Sequence, residues 1–132
     1  MTSLKRISAI FAALAIATTL GCGYCDEDKI AVVYDHGVIG KALDRHHEVA
    51  FFALEGPLRS GPESRRLIER ALVSEAAIDL ASLRVSVDSA SLSLAYDGMR
   101  IQHGRISGTL NRKLAVHGLR VSLLKVIERP PR

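Results

Sequence analysis

Between residues 48 and 127 the spacing of the hydrophobic residues changes from the two-residue period of a strand to the period of a helix and back again. The order in which these spacings follow one another limits the folds that the chain can adopt. The apolar residues of Glu48–Leu54 are β-formers that end at Gly56-Pro57, which predicts a strand. Ser60-Gly61-Pro62-Glu63 then predicts a helix, with Ser60 or Gly61 as its N-cap and Pro62 at a permissive first position. The buried stripe of that helix would consist of Leu67, Ile68, Ala71 and Leu72.

A hairpin, a second helix and a last strand follow. Alternating apolar residues predict strands around Leu83–Val87 and Leu92–Tyr96, with the intervening serines facing solvent. The second helix carries apolar residues at helical spacing and ends at His117-Gly118, which has the composition of a helix C-cap. Leu119–Ile127 is predicted to be the final strand. The buried stripe of the second helix would consist of Ile106, Leu110 and Leu114.

The predicted order is β-α-β-β-α-β, an α+β pattern. Four strands with two helices on one face form the ferredoxin-like arrangement. We therefore predict a ferredoxin-like domain over residues 48–127 and a flexible tail over residues 128–132, where Pro130 and Pro131 cannot continue a strand. We also expect residues 48–127 to fold without the segment that precedes them.

The core pattern also resembles a known family. Leu67–Val126 is similar to the heavy-metal-associated domain of copper chaperones and metal-pumping ATPases. The resemblance implies a ferredoxin-like fold and, in that family, a role in binding soft metals. It is carried by Leu67-Ile68-Glu69-Arg70-Ala71-Leu72, Leu83-Arg84-Val85-Ser86-Val87, Leu92-Ser93-Leu94-Ala95-Tyr96-Asp97, Leu110 with Leu114, and Gly118-Leu119-Arg120-Val121.

The metal-binding loop of that family is missing from this chain. In the family, a Met-x-Cys-x-x-Cys loop lies between the first strand and the first helix. Here the corresponding loop runs from Leu54 to Gly61 and contains no sulfur. No metal ligand can therefore be carried over from the family, and any thiol chemistry must come from the two cysteines near the N-terminus.

The first 21 residues have the features of a secretory signal peptide. Lys5 and Arg6 form a positive start, and the uncharged run over residues 7–20 suits a signal sequence better than a membrane-spanning helix. Thr19-Leu20-Gly21 places small residues where signal peptidase requires them. A lipoprotein signal is the alternative, since Gly21-Cys22 also ends a lipobox. We expect export, to the periplasm, with membrane attachment only if Cys22 is lipidated.

The remaining chain is a small, mildly charged domain. Removing residues 1–21 from the 132 leaves 111, the size of one domain. The formal charge of +4 falls to +2 without Lys5 and Arg6, and the basic residues are scattered. This charge does not favour a nucleic-acid partner. Trp is absent, so the core must be built from aliphatic side chains with a few Phe and Tyr residues.

Cys22-Gly23-Tyr24-Cys25 is the motif that carries the most chemistry. Two cysteines three residues apart can ligate a soft metal, cycle between dithiol and disulfide, or form a small structural disulfide. Asp26, Glu27 and Asp28 follow the motif and suit the start of a helix over Asp26–His36. The order Cys-Gly-Tyr-Cys resembles the redox motif of periplasmic disulfide isomerases. The strand that precedes the motif in those thioredoxin-like proteins is missing here.

Additional ligands would have to come from histidines. Zn(II) takes four ligands, whereas Cu(I) is satisfied by two or three. His36 would lie about 16 Å from Cys25 along a straight helix at 1.5 Å per residue. His46 and His47 follow Gly37 and Gly40 in a segment predicted to be a polar connector, so the chain could fold back there. The candidate metal ligands are therefore Cys22, Cys25, His46 and His47.

These observations lead to one functional hypothesis and two alternatives. The hypothesis is an exported, non-enzymatic protein in which residues 22–47 bind Cu(I) or Zn(II). The first alternative is a thiol–disulfide redox protein. The second is a structural module with a disulfide that binds a protein partner through its sheet. No catalytic residue and no organic cofactor is predicted, because no nucleophile–base pair or phosphate-binding loop is present in the sequence.

Overall fold

A computed structural model describes residues 25–128 as an α+β fold with a four-stranded antiparallel sheet. The predicted signal peptide, Cys22 and residues 129–132 of the predicted tail lie outside the described residues. The elements in chain order are α1 (Asp26–Val32), α2 (His36–Asp44), β1 (Glu48–Glu55), α3 (Gly61–Leu72), β2 (Ile78–Ser86), β3 (Ser91–Tyr96), α4 (His103–Leu114) with a 3₁₀ turn (Ala115–His117), and β4 (Arg120–Ile127).

The strands lie in the order β2-β3-β1-β4, and each neighbouring pair is antiparallel. Glu48 at the start of β1 pairs with Tyr96 at the end of β3. The two central strands, β1 and β3, are buried along almost their whole length. The strands predicted around residues 48–54, 83–87, 92–96 and 119–127 are all present, and β2 begins earlier than predicted, at Ile78.

Helices α3 and α4 pack on one face of the sheet and form the larger core. The predicted stripes on both helices are buried, except that Leu67 is only partly so. They pack against Phe52, Leu92 and Leu94, each fully buried. Burying a side chain of this size stabilises the fold by about 1.5–3 kcal/mol. Gly118 has a φ of 71°, so the predicted C-cap is confirmed.

Helices α1 and α2 cover the opposite face, which the sequence analysis did not predict. Val33, Ile39 and Ala42 from this helical pair form a second buried cluster with sheet residues. Phe51, the largest of the sheet residues, is fully buried. This packing argues against the expectation that residues 48–127 need nothing from the preceding segment. Because helices cover both faces, the edge strands β2 and β4 are the more exposed part of the sheet.

The serines of β3 are buried rather than exposed, so the prediction that they face solvent is wrong. Ser91 and Ser93 lie beneath α1 and are 0% and 3% exposed. The Ser91 hydroxyl donates to the carbonyl of Lys29 at 2.9 Å, and the Ser93 hydroxyl donates to that of Val33 at 2.7 Å. Carbonyls at the end of a helix lack partners within the helix. The serines therefore satisfy the end of α1 while burying their own hydroxyl groups.

A break at residues 33–35 separates α1 from α2. One carboxylate oxygen of Asp35 accepts hydrogen bonds from the backbone N–H groups of Gly37 and Val38 at 2.9 and 3.1 Å. Asp35 is thus the N-cap of a helix over His36–Asp44. The prediction of one helix to His36 followed by a polar connector to His47 is therefore wrong. The cap and the burial of Ile39 and Ala42 offset the roughly 1 kcal/mol that each glycine costs a helix.

Asp35 also ties α2 to the sheet, and its charge should make stability depend on pH. Its other carboxylate oxygen lies 3.2 Å from the guanidinium of Arg84 on β2. The N–H of Val38 and then Arg84 hold the pKa of Asp35 below its ordinary value of 3.8, against the opposing effect of desolvation. Because the folded pKa is the lower one, this stabilisation is present above about pH 4 and is lost as pH falls through the folded value.

The variant Asp35→Asn should therefore lose less stability on acidification than the wild type. Asparagine is also a good N-cap, so the substitution removes the charge and keeps the cap. Urea unfolding midpoints measured between about pH 7 and pH 2.5 give the comparison. The control variant Asp88→Asn, at the exposed hairpin turn between β2 and β3, should follow the wild-type curve. If Asp35→Asn follows it equally well, the carboxylate does not carry this pH dependence.

Candidate functional site

Cys25 lies at the surface, directly before α1. Its carbonyl accepts the hydrogen bond from the Lys29 N–H at 3.0 Å that begins the helix. The side chain is an exposed free thiol. Its sulfur donates to a carboxylate oxygen of Asp28 at 3.1 Å, because residues three apart on a helix lie on the same side. The structure therefore places a sulfur and a carboxylate together at the surface.

Asp28 is the residue that sequence reasoning missed. It was interpreted only as an acid that suits the start of a helix. Asp26, Glu27 and Asp28 form the first turn of α1, and all three are exposed. Of these acids, Asp28 is the one in contact with the Cys25 sulfur. The spacing of three residues within a predicted helix was the signal that could have identified it.

His46 ends α2. Its N–H donates to the carbonyl of Leu43 at 3.0 Å, and the N–H of His47 donates to the carbonyl of Ala42 at 2.7 Å. This pair of hydrogen bonds is the Schellman motif, which requires a left-handed residue just after the helix. His46 supplies that conformation with a φ of 61°. The backbone of both histidines therefore has a structural role.

His47 is half-buried beside a cavity between α2 and β2. Its Nδ1 atom is shielded from solvent and has no hydrogen-bond partner among residues 25–128. A buried polar nitrogen without a partner is unfavourable. The Nδ1 atom of His47 is therefore shielded from water, unlike that of a histidine in an exposed connector.

The fold separates Cys25 from the two histidines. The carbonyl of Lys29, one turn after Cys25, receives the hydrogen bond of Ser91 at the start of β3. His47 precedes Glu48, which pairs with Tyr96 at the other end of β3. Six residues of strand span about 17 Å at 3.4 Å per residue. His46 and His47 therefore do not join Cys25 in this arrangement.

His36 does not approach Cys25 along a straight helix either. The break after α1 removes the straight helix assumed for His36, whose ring instead packs edge-on against Tyr34 with centroids 4.8 Å apart. Within residues 25–128, no three or more His, Cys, Asp or Glu side chains converge in a way that would hold a metal ion. Cys22, the other predicted thiol ligand, lies outside that range.

Comparison with known proteins does not assign the chain to a family. No protein-family model, curated protein or solved structure matches it. The resemblance to the heavy-metal-associated domain therefore remains a resemblance of core pattern. Among the helices between residues 25 and 128, none is long and apolar enough to cross a membrane.

Proposed function

We propose that this chain is an exported, non-enzymatic protein that binds one soft metal ion through Cys22 and Cys25. The observation that supports this function best is the exposed Cys25 thiol, 3.1 Å from the carboxylate of Asp28. A cation at this position would be held by sulfur and oxygen together. A structural disulfide would use the sulfurs alone, and in a redox pair Asp28 would act only as a proton acceptor for the Cys25 thiol.

The donor set fits Zn(II) and Cu(I) to different degrees. Cys thiolate and Asp carboxylate are both zinc ligands, and zinc binds four ligands in a tetrahedron. Cys22, Cys25 and Asp28 would supply three of these, and the fourth position would stay open to water or to a donor from a partner. Cu(I) prefers sulfur and is satisfied by two ligands. Asp28 should therefore matter for Zn(II) and much less for Cu(I).

The export proposal rests on the N-terminal sequence. Lys5 and Arg6 precede an uncharged run, and Thr19-Leu20-Gly21 suits cleavage immediately before Cys22. Cleavage there would place the first cysteine at the new N-terminus, with its sulfur free of acyl chains. The location that we propose for the exported chain is the periplasm.

We also propose that residues 48–127 form a ferredoxin-like domain. The order β-α-β-β-α-β along the chain supports it, together with the order β2-β3-β1-β4 in an antiparallel sheet. In this arrangement α3 and α4 cover one face, whereas α1 and α2 are an addition on the other. The thiols therefore belong to the added segment and not to the loop between β1 and α3.

Competition titrations against Zn(II) and Cu(I) chelators test the metal proposal. The reduced, processed protein should bind one ion, and Cys22→Ser or Cys25→Ser should each weaken binding by more than the roughly 10–100-fold that loss of an outer-shell partner costs. Binding should also weaken as pH falls, because protons compete for the thiolates. Asp28→Asn should weaken Zn(II) binding and leave Cu(I) binding nearly unchanged.

Two controls sharpen this test. His46→Ala and His47→Ala should leave metal affinity unchanged, since both residues lie at the far end of β3. Glu27→Gln removes a neighbouring negative charge that does not contact the sulfur, and it should have a smaller effect than Asp28→Asn. If the double Cys→Ser variant competes for metal as well as the wild type, the thiols are not the ligands and the proposal fails.

A further inference from the structure

A concave site lies at the opposite end of the sheet from Cys25. It is a cavity of about 260 Å³ between α2 and β2. Its polar lining comes from α2, from β2 and from the turn that follows α2. The residues concerned are Lys41, Arg45, His47, Asp79, Ser82 and Arg84.

β2 departs from regular pairing where it lines the cavity. The register between β2 and β3 shifts between Asp79 and Arg84. In that stretch the Ser82 hydroxyl donates to the carbonyl of Asp79 and accepts from the N–H of Ala95 at 2.7 Å. A side chain thus replaces a backbone partner and lets the strand bulge. Bulges of this kind occur often beside functional sites, where they redirect side chains.

Positive charge exceeds negative charge around this cavity. Lys41 lies in the last turn of α2, and Arg45 is the C-cap residue one turn later. Like charges four residues apart are unfavourable for a helix. Arg84 faces both residues from β2, and its guanidinium is held by Asp35 at 3.2 Å. Among residues 25–128, Asp79 is the only acid that lines the cavity. It lies 4.0 Å from Arg45, whose side chain is 65% exposed.

We propose that this cavity binds a small oxyanion, either a carboxylate or a phosphate group. Lys41 would be the main donor, and Arg45 would join it by leaving its long contact with Asp79, since Arg84 is held more closely by Asp35. An anion between Lys41 and Arg45 would relieve their mutual repulsion, and the guanidinium of arginine can donate two parallel hydrogen bonds to two oxygens of a carboxylate or a phosphate. The volume is below that of a typical drug-sized pocket, which suits a small anion. This site does not depend on the thiols or on a bound metal.

An NMR titration of the processed protein tests the proposal. Sodium phosphate and sodium acetate are added separately at constant ionic strength, with sodium chloride as the salt control. Saturable shifts should be confined to residues 38–47 and 79–84 for at least one of the two anions. Lys41→Ala should weaken that binding about tenfold or more, as expected for loss of a charged hydrogen bond.

A matched control separates a built site from general surface charge. Lys125→Ala removes one positive charge from β4, at the other edge of the sheet, and should leave the anion affinity unchanged. Shifts with phosphate alone would assign the site to phosphate groups, and shifts with acetate would assign it to carboxylates. Shifts that are linear, spread over many basic residues, or equally weakened by Lys125→Ala would overturn the proposal. The outcome is independent of metal binding, so the two proposals can fail separately.

Discussion

Replacing Phe51 with alanine should destabilise the full protein by about 3–5 kcal/mol, the usual cost for a buried phenylalanine. The same substitution should cost less than about 1 kcal/mol in a chain that begins near Arg45. The reason is that Phe51 is buried by α1 and α2, so removing those helices already exposes its ring. The truncated chain itself should be less stable than the full protein by several kcal/mol, because Val49 and Phe51 lose their cover. Urea unfolding of the four proteins measures these differences.

Phe52 provides the matched control. It is the next residue on β1, fully buried, but it faces α3 and α4 on the other side of the sheet. Phe52→Ala should therefore cost about 3–5 kcal/mol in the full protein and comparably in the truncated chain, where that face is intact. If the truncation leaves the cost of Phe51→Ala unchanged, α1 and α2 do not cover this face in solution. If the truncated chain does not fold at all, the loss of folding itself shows that the protein requires α1 and α2.

Gly56→Ala should destabilise the protein by about 3 kcal/mol or more. Gly56 follows β1 with a φ of 117°, a conformation that costs side chains about 1–3 kcal/mol. In addition, a Cβ atom there would contact the backbone carbonyl of Gly118, the residue that ends the 3₁₀ turn before β4. Because this is backbone, the clash cannot be relieved by rotating a side chain. The variant must separate the neighbouring ends of β1 and β4 or change the turn.

Gly108 is the control for the glycine substitution. It lies in the middle of α4, and a Cβ atom there would meet nothing within 4 Å. Gly108→Ala should therefore stabilise the protein by about 0.5–1 kcal/mol, because glycine is a poor helix residue. Thermal unfolding of both variants should show shifts of opposite sign. A small effect at both positions would mean that the turn after β1 is not tightly constrained.

The sequence predicted the strands and the helices of the larger core because their signals are local. Alternation in Leu92–Tyr96 and the Ser60-Gly61-Pro62 start of α3 depend only on neighbouring residues. The second layer was missed because its evidence is distributed over the chain. The serines of β3 look like solvent-facing residues until α1 is known to lie above them. The sequence alone does not distinguish Asp35 from the other acidic residues, whereas the structure shows that it caps α2.

The candidate site was predictable only in part, for a similar reason. The spacing of Cys22 and Cys25 is visible in the sequence, and so is the presence of Asp28 three residues later. The position of His46 and His47 relative to the thiols is set by the direction in which α1 and α2 cross the sheet. No local pattern contains that information. The histidines were therefore reasonable ligands by type and are remote by geometry.

Native mass spectrometry of the processed protein, purified from its own compartment, tests the central claim most directly. We expect a chain that begins at Cys22, carries no acyl group and holds one zinc or copper ion. We also expect the ion to be released under acidic conditions, leaving both thiols reduced. A metal-free mass two hydrogens lower than that of the dithiol would instead indicate a disulfide between Cys22 and Cys25. That result, or a diacylglycerol group on Cys22, would contradict the proposal of a soft-metal site at these thiols.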